Sequence, residues 1–161
     1  MKLFFIILIV LSTSFIGLLI YLNYNSKRKT YSYLVDFCDT CLLEIKFNKN
    51  NFKKIIEKNL SSYNLEMKKI LNCYLDKKCY TSKIFKKSDT VFIQNFIDSL
   101  GKKDIDGEIQ NLNKFKEFFD QNLKKSKEDE QKKGVLSFKL LIVVGLLLGI
   151  MLAWGNLWVL M

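Results

Sequence analysis

Hydrophobic positions fall into two regimes along the 161 residues. From Leu3 to Leu22 the chain is apolar apart from Ser12, Thr13, Ser14 and Gly17, and from Leu140 to Met161 the only strongly polar residue is Asn156. Each stretch supplies about 20 residues, enough to cross a hydrocarbon layer roughly 30 Å thick as one α-helix. Between them apolar residues recur every three or four positions instead, which is the period of helices that bury one face. Leu34, Cys38, Cys41 and Ile45, with Phe37 and Leu42 beside them, predict a helix over 30–47 whose inner stripe carries two thiols. Phe52, Ile55, Ile56 and Leu60 mark a second helix after a turn at Asn48 to Asn51. Leu65, Ile70, Leu71, Tyr74 and Leu75 mark a third, followed by a polar link around Lys77 to Lys83.

Ser88 and Asp89 are placed to cap a fourth helix carrying Phe92, Phe96 and Leu100, and Gly101 stands where a left-handed residue ends a helix. Asp104 or Asp106 then caps the longest helix, with Ile105, Ile109, Leu112, Phe115, Phe119 and Leu123 as its apolar stripe. Charges of both signs alternate from Lys124 to Lys133, as on a solvated helix, and the helix is expected to run on, bent at Gly134, into the second apolar stretch. The expected fold is therefore all-α: a membrane-anchored helical bundle between two transmembrane helices. The boundaries are 1–24 for the first span, 25–135 for the bundle domain and 136–161 for the second span. The middle segment is long enough for one small core and too short for two.

The first stretch also has the basic start of a secretory signal, at Lys2. Its apolar run exceeds a signal's usual core, and the exit Tyr21-Leu22-Asn23-Tyr24 lacks small residues spaced for cleavage, so an uncleaved anchor is expected. Lys27, Arg28 and Lys29 follow the first span and Lys132, Lys133 and Lys139 precede the second, whereas only Lys2 is basic outside them. The positive-inside bias then places the middle domain in the cytoplasm. All but one of the 26 basic residues and all 16 acidic ones lie between Asn23 and Lys139, giving that region a net charge of +9. A basic cytoplasmic domain adheres to an anionic leaflet, although a lysine- and asparagine-rich composition produces the same charge without function. Proline is absent, and Gly101, Gly107 and Gly134 are the only glycines between the spans, so helices run there without breakers.

Candidate chemistry is sparse. The chain has no histidine, which removes the Ser-His and Cys-His nucleophile pairs and imidazole metal sites. No glycine pair has the spacing of a phosphate-binding loop followed by Lys-Ser or Lys-Thr. Cys38 and Cys41 form a C-x-x-C, and with Cys73 and Cys79 they supply the thiolates of a four-ligand zinc site or a redox pair. Against this, the second pair has five intervening residues, and the first pair lies on an inward helical stripe where small apolar side chains belong. Structural thiols, with no metal and no cofactor, are the expectation. Asp104, Asp106 and Glu108 crowd a helix start, where the macrodipole favours negative charge whatever the function. Lys53-Lys54, Lys68-Lys69 and Lys86-Lys87 sit on different helices without interleaved aromatics, so no nucleic-acid partner is expected. In the second span Gly145 and Gly149 form a G-x-x-x-G, spacing that lets membrane helices pack closely, within the chain or in a homo-oligomer. Trp154 and Trp158 fit an interfacial aromatic belt.

This layout resembles the stage III sporulation protein AB family of endospore-forming bacteria. The resemblance rests on the anchor with its basic exit, on Leu42-Leu43-Glu44-Ile45, and on Leu100-Gly101 followed by Asp104 and a long helix entering a C-terminal span. The family pattern is Leu-Gly-x-Ser-Asp, three residues, then Gln; this chain has Lys103 for the serine and Glu108 for the glutamine. Asn50-Asn51-Phe52 stands where the family has Thr-Pro-Leu. The composition suits a low-GC clostridial member.

What the resemblance implies is a non-enzymatic membrane component of a secretion-like complex on the mother-cell side of the forespore envelope. There it would dock a cytoplasmic secretion-type ATPase to other membrane proteins, through a helical domain similar to those of type II secretion inner-membrane platform proteins. Its loss would stall sporulation after engulfment. Glu44, Leu100, Gly101, Asp104 and Glu108 are the interaction residues it suggests, with Glu108 on an accessible first turn, and Gly145 and Gly149 serve transmembrane packing. The other readings are a membrane-anchored helical adaptor or sensor unrelated to sporulation, and a small membrane enzyme or zinc protein.

Overall fold

A computed structural model describes residues 2–48 and 51–155. The described residues contain helices and no strand: α1 Lys2–Leu43, α2 Phe52–Asn59, α3 Leu65–Asp76, α4 Lys87–Ser99, α5 Ile105–Asp129 and α6 Leu136–Gly155. Short π-helical segments occupy Glu44–Asn48 and Glu130–Val135, and a 3₁₀ turn follows α2 at Leu60–Ser62. The first span and the thiol-bearing helix are thus one continuous element, because nothing between Leu22 and Thr30 breaks a helix. Where a bend is expected at Gly134 the chain widens into a π-helical turn, a local insertion that shifts the hydrogen-bond ladder.

Contacts divide the chain into two compact units, Met1–Asn25 with Lys127–Met161, and Ser26–Ser126. In the first, apolar side chains such as Leu11, Phe15, Val143 and Leu147 face outward. Two of the hydroxyls that interrupt the first apolar stretch donate back to carbonyls one turn earlier, Ser12 to Leu8 at 2.7 Å and Thr13 to Ile9 at 3.1 Å, so these two need no outside partner. Two helices here, within Ile7–Lys46 and Ile105–Met151, are long and apolar enough to cross a membrane. Gly17 lies against Phe138 and Leu141, where a Cβ would be tight, and Gly145 lies against Val10 and Thr13, where a Cβ would collide with the Thr13 hydroxyl.

The second unit is a helical bundle with one core. Leu34, Phe37, Cys38 and Cys41 line the inner face of α1, and Ile45 continues it in the π-helical turn, as the periodicity predicts; Tyr31 joins them. Facing them are Ile55 and Ile56 of α2, Met67, Ile70 and Leu71 of α3, Ile93 and Phe96 of α4, and Leu112 and Phe119 of α5. Phe37 and Phe96 meet edge-on at 6.2 Å, and Phe92 stacks on Phe118 at 3.6 Å. Such aromatic pairs add to the area they bury. Two expected stripe residues, Leu65 and Ile105, are exposed instead, each at the first position of its helix.

Helix ends follow local chemistry, with one correction. The Asn51 and Asn64 side chains cap α2 and α3, accepting from the N–H of Lys53 and of Met67. Ser88 and Asp89 do not cap α4, because that helix starts after Lys86. Asp89 lies within the first turn instead, where it accepts a hydrogen bond from the Tyr31 hydroxyl at 3.0 Å and pairs with Lys27 at 3.4 Å.

Candidate functional site

Two adjoining features hold the residues of interest. The first is the corner between α4 and α5. Leu100 is buried, and Gly101 follows with φ +75°, the left-handed value for which glycine has no Cβ penalty. A Cβ at Gly101 would sit 3.4 Å from the Phe52 ring and 3.6 Å from the Tyr74 hydroxyl. Asp104 caps α5 through its side chain, which accepts from Gly107 N–H at 3.2 Å. Asp106, the other expected cap, lies in the first turn. Glu108 turns back so that its Oε1 accepts from Lys103 N–H at 2.9 Å. Its Oε2 is buried with no hydrogen-bond partner. Asn111 closes the corner, donating to Ser99 Oγ at 2.9 Å and accepting from Lys103 Nζ at 3.4 Å.

Glu108 is only 3% exposed, which corrects the expectation of an accessible first turn. The α5 start is folded under Lys103, so this carboxylate organises the corner. Glu44, by contrast, is partly exposed, reaches Lys58 at 3.4 Å and stands apart in the π-helical turn after α1. Leu100, Gly101, Asp104 and Glu108 are therefore brought together, and Glu44 is not among them.

The second feature is a groove of about 750 Å³ that opens beside this corner. Its walls come from the end of α3, the link after it, α4 and the start of α2. Tyr74, Leu75, Ile97 and Leu100 give it an apolar lining, and Lys53, Lys77, Lys78 and Lys102 stand around it with Asp98 as the single acidic residue.

The family model for stage III sporulation protein AB matches residues 50–153. The chain belongs to that family. The match runs from the start of α2 almost to the end of α6 and so includes both the corner and the groove. No curated protein sequence and no solved structure matches the chain.

Other predicted residues fall outside this region. Cys38 and Cys41 are fully buried, and burial pushes both thiols well above their ordinary pKa. A thiol held protonated is a poor nucleophile and a poor ligand. Cys73 is half-buried and Cys79 exposed, both along the groove. Among the described residues no three His, Cys, Asp or Glu side chains are grouped to hold a metal ion. Gly145 and Gly149 are buried, and Gly145 packs on Val10 and Thr13 of the same chain. Asn50, Asn156 and Trp158 lie outside the described residues, as does the Trp154 side chain.

One buried carboxylate escapes a sequence reading. Glu66 of α3 accepts from Tyr80 Oη at 2.8 Å, Ser82 Oγ at 2.6 Å and Lys69 Nζ at 3.2 Å. Burial alone would raise its pKa, but the bonds from Ser82, Tyr80 and Lys69 outweigh it and hold the carboxyl below the usual glutamate range. This fastens the link from Lys77 to Lys86 against α3. Its only local signal is an acidic residue in a helix's first turn, while its partners lie 14 and 16 positions away.

Proposed function

We propose that this family member serves sporulation as a non-enzymatic docking component, holding a cytoplasmic secretion-type ATPase to membrane partners of a channel-like complex between mother cell and forespore. The observation that carries the reading is what the Ser26–Ser126 unit leaves accessible. The chain offers no histidine, the α1 thiols Cys38 and Cys41 are closed into the core, and the buried carboxylate Glu66 and the Oε1 of Glu108 accept internal hydrogen bonds. Apart from the exposed Cys79 thiol, what remains outside is mainly shape and positive charge, which suit recognition more than covalent chemistry. The two membrane-length helices support a two-pass anchor, and the basic flanks support a cytoplasmic domain.

A pulldown of the full chain from sporulating cells tests the reading: a secretion-type ATPase should co-purify, and its absence under conditions that retain membrane partners would contradict docking. Sidedness has its own test. A reporter active only outside the cytoplasm should be silent when inserted near Lys77 and active when fused after Met161; the reverse pattern would remove the cytoplasmic partner altogether.

A further inference from the structure

Lys77 ends α3 with φ +52°, the one non-glycine residue in the left-handed region among the described residues. Glycine or asparagine is usual at such a helix end, because a Cβ there crowds the neighbouring carbonyl. Lys77 closes α3 through its backbone, its N–H donating to the Cys73 carbonyl, while its side chain is exposed and makes no hydrogen bond or ion pair among the described residues. The helix end accounts for this backbone conformation, and what lysine adds there is an exposed ammonium without an ion pair among the described residues. It lies on the groove described above.

Lys53 and Lys102 stand on the same groove and likewise have no ion pair among the described residues, whereas Lys78 is paired with Asp76 at 3.1 Å. Asp98, the only acidic lining residue, already accepts from the Gln94 amide at 2.8 Å. Three uncompensated ammonium groups thus surround a recess lined by Tyr74, Leu75, Ile97 and Leu100. A lipid headgroup or a nucleic-acid phosphate needs the charge but not the apolar recess. An acidic polypeptide with one apolar side chain uses both.

The geometry points to this groove as the docking site for an acidic segment of a partner protein, whose apolar side chain enters between Tyr74 and Leu100 while its carboxylates meet Lys53, Lys77 and Lys102. The inference rests on the docking reading only in taking the partner to be a protein, and its test uses no ATPase. Failure of one therefore leaves the other to be judged by its own result.

Cys79, exposed on the groove, is a built-in reporter. The full chain in zwitterionic nanodiscs is titrated with a short fluorescein-labelled peptide of glutamates around one phenylalanine, and with the same peptide carrying lysines. Anisotropy reads binding, and the rate of Cys79 alkylation by N-ethylmaleimide, followed by mass spectrometry, reads location. The acidic peptide should bind and slow alkylation in step with occupancy; the basic one should do neither. Lys77→Gly should weaken binding about threefold, the effect of one exposed ion pair, while leaving the thermal midpoint unchanged or higher because the strain is relieved. Lys102→Glu should weaken it by roughly tenfold or more, since it sets like charges together. Peptide binding that leaves Cys79 alkylation unchanged, no binding at all, or wild-type affinity in both variants would overturn the assignment. So would protection of Cys79 by phosphatidylserine vesicles but not by the peptide, which would give the lysines to a lipid surface.

Discussion

Two pairs of cysteines mark opposite environments within one small domain. Cys38 and Cys41, on the inner face of α1, are sealed among Leu34, Phe37 and Phe96; Cys73 and Cys79, at and beyond the end of α3, border an open groove ringed by lysines. The residue type is the same, and the difference lies in periodicity. A thiol repeated at helical spacing with Leu34 and Ile45 becomes core material, whereas one placed where the helix ends and the chain turns stays within reach of solvent. Burial then sets the chemistry, pushing the inner thiols up and leaving them inert.

The comparison breaks most readily at Phe37, which is fully buried against Phe96. Phe37→Ala in the full chain in detergent should cost about 3 to 5 kcal/mol, as large-to-small core changes do. Chemical denaturation monitored by circular dichroism checks this, and a loss under 1 kcal/mol would mean that the α1 face is not the core. Next comes Glu108. Glu108→Lys puts a cation at a position only 3% exposed and should cost about 3 kcal/mol or more. Glu108→Gln, the residue that the family resemblance places there, removes a charge whose Oε2 has no donor and should leave stability equal or higher. A Glu108→Lys protein of native stability would return this residue to the accessible surface.

Acid sharpens the contrast further. Because the Glu66 carboxyl is held below its unfolded pKa, its contribution is complete above the ordinary glutamate range and is lost as pH falls through the lowered native value. Tyr80→Phe removes one of the bonds responsible, so the acid loss of stability should move to higher pH than in the wild type. Denaturation midpoints between neutral and acidic pH test this, and identical acid profiles would show that the bond to Tyr80 does not set the titration. The smallest effect is expected at the corner. Asp104→Ala removes the cap of α5 and should cost about 1 kcal/mol.

Much of this fold was legible in the order of its residues. The α1 stripe, the positive φ at Gly101 and the cap at Asp104 each follow from rules that act within one helix or one turn. Two things were not legible, for a common reason. Ser88 and Asp89 have the chemistry of a helix cap, but Tyr31, 58 positions away from Asp89, takes that carboxylate. Glu108 looks like any acidic residue at a helix start, and only the backward turn onto Lys103 buries it. Contacts set by the packing of distant elements leave no periodic trace. The groove is of the same kind, since Lys53, Lys77 and Lys102 come from three different segments and share no motif.

The order in which the four thiols react tests most directly the claim of a closed core beside an open groove. The full chain in nanodiscs is exposed to N-ethylmaleimide, and each cysteine is followed by peptide mass spectrometry. Cys79 should label first, half-buried Cys73 more slowly, and Cys38 and Cys41 only when denaturant unfolds the domain. Labelling of Cys38 or Cys41 in the native protein at a rate near that of Cys79 would contradict the account.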